Sequence, residues 1–317
     1  MKLLKLVPDD TNIGFTRARL IGIGLSILMM ALSLFAIFDK GFNYGVDFAG
    51  GILMEVQFQQ DPDIDLLRST VDDLGIGDAN IQEFGENEAS IRMPLPAEPG
   101  PEAVQRSVDS ILSAVGERYP GVELRKQDVV SGKVSGELIR DGTLAALVAM
   151  LAVAAYVWFR FEWQFGVGAL VALVHDVLVA LGVFAWFQLT FDLNIVAAML
   201  TIIGYSLNDT IVNYDRIREN LRKYRKMEMV ELLDLSINEV LPRTIVTSFT
   251  MVLSLAVLLV WGGATLFGFT LAMLIGIVVG TYSSIYVAGP ILLWLGVGPD
   301  SFLPPEESGA ERVTAQT

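Results

Sequence analysis

One aspartate in this sequence sits where an ionised group needs a reason. Asp209 lies inside the apolar run that ends in Gly204-Tyr-Ser-Leu-Asn-Asp-Thr-Ile-Val-Asn-Tyr-Asp-Arg216. A carboxylate at membrane depth costs at least about 2.5–3.5 kcal/mol unless it faces a polar cavity or finds a partner. Ser206, Asp209, Asn213 and Arg216 recur at i, i+3, i+7 and i+10, which places them on one face of a helix, with Asn208 and Thr210 flanking. The next apolar segment carries a matching stripe, Arg243, Thr247, Thr250 and Ser254 at i, i+4, i+7 and i+11. Polar stripes on consecutive antiparallel helices point to one shared wet path, with Arg243 placed to approach Asp209 and hold its charged form. An aspartate that alternates between a cation-paired and a desolvated state changes its proton affinity, which is the chemistry of a proton carrier. The competing reading is polar glue, in which Asp209 only hydrogen-bonds neighbouring helices.

Other residues invite similar scrutiny. His175 and Asp176 lie near the middle of a third apolar segment, either as a second proton-relay element or as an interhelical hydrogen-bonded pair that fixes packing. Gly276 and Gly280, followed by Thr281, Ser283 and Ser284, form a small-residue face suited to close helix packing. Tyr44-Gly-Val-Asp-Phe-Ala-Gly-Gly51 is too polar to be embedded. Its Gly45, Gly50 and Gly51, with Asp47 among them, read as a structured junction with an unusual backbone. The chain has no cysteine and one histidine, which excludes disulfides, thiol catalysis and a multi-histidine metal site. Tyr214-Asp215 imitates half of an intramembrane aspartyl protease signature. The other half, Gly-x-Gly-Asp on a following helix, is absent, so no catalytic residues are assigned.

The elements that must position these groups are membrane spans. Of 317 residues, 53% are hydrophobic, too many for an ordinary soluble domain. Six segments reach the length of about 20 apolar residues that a bilayer requires: 20–38, 142–160, 165–187, 193–215, 244–261 and 266–295. The first reads as a retained anchor, since no small-residue cleavage site follows it. The last exceeds one span and should tilt or end in an interfacial piece near Pro290. Arg216, Arg218, Arg222, Lys223, Arg225 and Lys226 cluster in one connection, and the N-terminus is basic. The positive-inside rule then puts 1–19, the loop 216–243 and the tail 296–317 in the cytoplasm, and 39–141 outside. The basic run serves as a topogenic signal or as a docking surface. The tail is expected to be disordered. The net charge of −14 comes mostly from the outer segment, and no basic stripe exists to hold nucleic acid.

The outer segment reads as a small α+β domain. Ile52–Phe58 alternates as a strand, Asp63–Leu74 has helical spacing capped by Asp63, and Ile81–Phe84 and Ala89–Met93 are short strands around the turn 85–88. Pro101–Tyr119 is an amphipathic helix and Val122–Val130 a closing strand. The order βαββαβ is that of a ferredoxin-like domain.

YGVDFAGG at 44–51, the His-Asp pair at 175–176, GYSLNDTIVNYDRIREN at 204–220, PRTIVTS at 242–248 and GTYSSIYVAGP at 280–290 together resemble the SecF family of bacterial protein-export subunits, within the resistance-nodulation-division superfamily. The resemblance covers essentially the whole chain. It implies a six-span partner, SecD, with which the chain would use the proton-motive force to help unfolded exported polypeptides leave the SecYEG translocon. It also implies a place in the bacterial inner membrane, an accessory subunit such as YajC, and no cofactor beyond protons as coupling ion. Asp209 matches the family's essential membrane aspartate and Arg243 its associated arginine. Two rival classes are a self-sufficient small-molecule pump, which needs roughly twice these spans in one chain, and a non-catalytic scaffold, for which Asp209→Asn would be silent.

Overall fold

The computed structural model describes residues 8, 11–76, 79–83, 87–96 and 100–298. Among them are six helical stretches long and apolar enough to cross a bilayer, so the chain is a multi-pass membrane protein. They are α1 (Arg19–Asp39), α5 (Gly132–Arg160), α6 (Trp163–Trp186), α7 (Leu193–Lys223), α8 (Met229–Trp261), and α9 (Ala264–Ser283) continued by α10 (Gly289–Trp294). The expected tail lies almost wholly outside the described residues, as does the first half of the turn at 85–88.

Two boundaries differ from expectation for one physical reason: a helix does not stop where the hydrocarbon does. Helix α5 begins at Gly132, ten residues before the expected span, with the Ser131 side chain accepting from the Val134 amide as its cap. The segment 216–243 is not a loop. Helix α7 runs on to Lys223 and α8 starts at Met229, leaving only a short turn between them. At 1.5 Å per residue α8 is about 50 Å long, well beyond a hydrocarbon core of about 30 Å. Its first turns bury Leu232, Leu233 and Ile237 and hold the N-terminal segment, with Thr16 N and Oγ1 donating to the Asp234 carboxylate at 2.8 and 2.7 Å.

Helix α6 is the centre of the bundle: 56% of its apolar stretch is buried, against 6% for α5 and 17% for α8, so the last two leave open faces. Between α9 and α10 the chain widens into a π-helical turn, Ser284–Ala288. Pro290 follows it near the start of α10, where its missing N–H would otherwise break the hydrogen-bond ladder. Carbonyls of this turn accept from α7: Asn213 Nδ2 donates to Ser284 O at 3.4 Å and the Tyr214 hydroxyl to Ala288 O at 3.2 Å.

Between α1 and α5 come β1 (Asn43–Tyr44), the single helical turn α2 (Val46–Ala49), β2 (Gly51–Gln57), α3 (Ile64–Asp72), β3 (Asn80–Glu83), β4 (Glu88–Met93), α4 (Pro101–Arg118) and β5 (Glu123–Val130). Strands β3-β4-β2-β5 make an antiparallel sheet in that order. The alternation in β2 decides its faces. Ile52, Met54 and Val56 join Ile91 of β4 and Leu67, Val108 and Ile111 of α3 and α4 in one dry core. Glu55, Ser90, Arg92 and Lys126 take the opposite face, towards the membrane helices.

Candidate functional site

The junction 44–51 fastens this small domain to the bundle. Asn43 and Tyr44 pair in parallel with β6 (Thr190–Phe191), in the connection between α6 and α7. The Gly45 amide donates to Phe191 O at 2.8 Å, and a side chain at Gly45 would press on Asp192 Cβ at 3.0 Å. Gly51 has φ of 125°, and a side chain there would strike the Met93 carbonyl; only glycine suits both demands. Asp47 accepts from the Leu193 amide at 2.9 Å and Asp192 from the Ile195 amide at 3.1 Å, so two carboxylates satisfy the N-terminus of α7. Between sheet and bundle lies a cavity of about 470 Å³ lined by Asp47, Glu55, Arg92, Lys126, Asp128 and Asp192, among others. Burial pushes the Glu55 carboxyl up, with Lys126 opposing, and burial likewise raises Asp192.

Following α7 inward for about 24 Å leads to Asp209. Ser206, Asp209 and Asn213 share one buried face, as their spacing predicts, and Asp209 is only 4% exposed. Its Oδ2 is buried with no hydrogen-bond partner among the described residues. The expected pairing with Arg243 is absent. Arg243 is exposed on α8 and makes no ion pair with any described residue. Thr250 and Ser254 are exposed with it, and Thr247 is half-buried. This stripe therefore looks out of the chain, while the inward polar face of α8 is Thr244 and Ser248, with Ser248 hydrogen-bonded to Thr281 of α9 at 2.8 Å. Arg216 is engaged elsewhere, with Glu239 and Glu219, each at 2.6 Å.

His175 and Asp176 are both fully buried. His175 Nδ1 lies 2.9 Å from Asp176 Oδ1, and Asp176 Oδ2 accepts from Ser206 Oγ of α7 and, at 2.8 Å, from Ser283 Oγ of α9. The pair therefore joins α6, α7 and α9 at one point. Ser283 and Ser248 are the polar residues that spacing alone did not assign a partner; Ser283 stands seven residues after Gly276, on the small-residue face itself. That face is tight: a side chain at Gly276 would strike Ile202, and one at Gly280 would sit 3.1 Å from Ser206 Cβ. Among the described residues no group of His, Asp and Glu is arranged to hold a metal ion.

The fold is one that known proteins share. Residues 110–298 match the C-terminal region of the protein export membrane proteins SecD and SecF, and residues 35–62, spanning the junction, match the SecD/SecF GG motif. The protein translocase subunit SecF of Vibrio alginolyticus is 42% identical over 98% of both chains. That of Rickettsia akari is 43% identical over 91% of this chain and 94% of its own. The crystal structure of SecDF, a translocon-associated membrane protein from Thermus thermophilus, superposes with a TM-score of 0.81 at 33% identity, covering 92% of this chain. A second SecDF structure, in a super-membrane-facing form, gives a TM-score of 0.68 at 32% identity. This chain spans 40% of the length of each SecDF chain. The chain belongs to the SecF branch of the SecD/SecF family of protein export membrane proteins.

Proposed function

We propose that this chain is the SecF-type half of a SecD–SecF complex that uses the proton-motive force to help unfolded polypeptides emerge from the SecYEG translocon. The observation that carries this reading is Asp209: a carboxylate buried at membrane depth whose Oδ2 has no partner among the described residues. As mere polar glue it would be hydrogen-bonded to a neighbouring helix. A carboxyl without such a bond instead stays open to a proton, water or cation that approaches it. Arg243 is that cation in a rearranged or assembled state. Its stripe with Thr247 and Thr250 lies on the open face of α8, where SecD would complete the cavity.

The small domain is then periplasmic and ferredoxin-like; its element order and the antiparallel strand order β3-β4-β2-β5 support that assignment. Both termini lie in the cytoplasm of a bacterium, with the complex in its inner membrane, an orientation supported by the basic cluster from Arg216 to Lys226. An accessory subunit such as YajC joins the complex, and protons are its only coupling ion. Helix α7 links the two regions, since its N-terminus is held by Asp47 of the junction and its middle carries Asp209. A shift of α7 on protonation thus changes the posture of the outer domain and hinders the polypeptide from sliding back. One charge moved through the membrane potential supplies about 2.3 kcal/mol per 100 mV, enough to bias a two-state rearrangement. The test is export into vesicles holding SecYEG and SecD, with and without this chain. The force-dependent part of export should require the chain while the ATP-driven part persists. Equal force dependence in its absence refutes the reading.

A further inference from the structure

The pair His175–Asp176 is as deeply buried as any group in the chain, and the reading above gives it no task. Its hydrogen bonds are arranged in a way that a packing contact does not need. Asp176 Oδ2 faces two hydroxyls, Ser206 Oγ and Ser283 Oγ, while Oδ1 faces His175 Nδ1. With Asp176 ionised, all three groups donate to it, and three donors satisfy the buried charge. Ser283 Oγ also lies 3.2 Å from Gly280 O. With a proton on Asp176 Oδ2, that proton points at Ser283 Oγ, and the serine hydroxyl turns to donate to Gly280 O instead. The bond from Ser206 remains, and so does the one from His175. Asp176 and both serines are satisfied in both proton states, and one hydroxyl rotation separates them.

The histidine behaves differently. Its Nε2 is buried with no partner among the described residues. A neutral ring with the proton on Nδ1 leaves only a lone pair unsatisfied there. An imidazolium would leave a charged N–H unsatisfied, which costs more. Asp176 Oδ2 is thus the position in the cluster where an added proton finds an acceptor, Ser283 Oγ, and His175 orients the carboxyl.

Few charged groups face this cluster. On α7, Ser206 touches it and Asp209 lies one turn further along the same buried face. The Tyr282 ring of α9 stands 6.2 Å from the His175 ring, and its hydroxyl is committed to Gly22 O of α1. Tyr286 of the π-helical turn stacks beyond Tyr282. Helices α1 and α5 bring charged residues only near their ends, Arg19 and Asp39, and Lys133, Glu137, Arg140, Asp141 and Arg160; α9 brings none.

We propose that Asp176 is a second proton-holding group of this chain, positioned by His175, Ser206 and Ser283. This site does not rest on the reading of Asp209 as a carrier. Two measurements on the assembled SecD–SecF complex in lipid test it without any export readout. In infrared difference spectra between alkaline and acidic medium, a carboxylic-acid C=O band should survive in Asp209→Asn, vanish in Asp176→Asn and shift in Ser283→Ala. This chain has a single histidine, so nitrogen-15 histidine spectra compared with those of His175→Gln isolate its signal, which should stay neutral with the proton on Nδ1. If Asp176→Asn leaves the spectrum unchanged, the proposal is wrong. If that variant fails to assemble, an unshifted band in Ser283→Ala overturns it equally. An imidazolium signal on the acidic side would overturn the assignment of the proton to Asp176. Should Asp209→Asn keep force-dependent export while the second band persists, the transport reading falls and this site stands.

Discussion

Gly280→Ala is the smallest change that reaches the buried polar cluster. Its new methyl group would sit 3.1 Å from Ser206 Cβ, 3.3 Å from Ser206 Oγ and 3.5 Å from Asp176 Oδ2. The first two distances are tighter than ordinary contact, so α7 and α9 must part by a few tenths of an ångström. Overpacking of this kind costs about 1–3 kcal/mol, while replacing glycine by alanine in a helix returns about 0.5–1 kcal/mol. If the shift also breaks the Ser206 bond to Asp176, a buried oxygen is left unsatisfied and a further loss of about 1–3 kcal/mol follows. The expected net destabilisation is about 2–4 kcal/mol. At about 2–4 °C per kcal/mol for a chain of this size, the melting temperature should fall by roughly 5–15 °C. Gly24→Ala is the control, because a side chain there meets nothing within 4 Å. Adding Ser206→Gly to Gly280→Ala relieves the steric part alone, so the double variant should recover some of the loss and not all of it. Thermal unfolding of the purified complex in one detergent provides the comparison. A Gly280→Ala protein that melts at or above the wild-type temperature would show that the α7–α9 contact is looser than its geometry says.

Three further outcomes are expected. Asp47→Ala removes one of the two carboxylates at the N-terminus of α7; it should cost about 1 kcal/mol and speed hydrogen exchange at residues 190–195. Asp192 has its carboxyl raised by burial, so the folded state holds its proton more tightly than the unfolded one. Stability from this group is full at low pH and is lost as pH rises through the ordinary carboxylate range, about 4, to the folded value. Asp192→Asn keeps a good cap and removes that loss, so its melting temperature should gain on wild type between pH 4 and 8; a parallel pH profile would contradict this. Arg243→Cys should react with a maleimide in the chain alone and be protected in the SecD–SecF complex, whereas equal labelling would remove SecD from that face.

How much of this was legible in the residues differs from element to element. The stripe Ser206, Asp209, Asn213 was readable because a buried polar group must recur with the helical period wherever its neighbours lie. The stripe on α8 was equally periodic, yet it faces outward. Its hydroxyls show why spacing misled: Thr247 donates to Arg243 O, Thr250 to Thr247 O and Ser254 to Thr250 O. A serine or threonine that bonds its own helix backbone pays little to face lipid, so its spacing does not reveal the side on which a neighbour packs. The helical character of 216–243 was hidden by charge, which marks the end of the hydrocarbon and not the end of a helix. For the outer segment, alternation in Ile52–Phe58 and the Asp63 cap were sufficient, since strand faces and helix starts are local properties. The bonds of Ser283 to Asp176 and of Tyr44 beside Phe191 join residues far apart in the chain, and no local pattern encodes them.

The role of Asp209 is tested most directly by export at fixed ATP, with and without a proton-motive force, in vesicles carrying Asp209→Asn in otherwise intact complex. Asparagine keeps the volume and a hydrogen-bonding head but cannot exchange a proton. The ATP-driven component should be unchanged and the force-dependent increment abolished. Full force-dependent export by Asp209→Asn would mean that this carboxyl carries no proton in the working cycle.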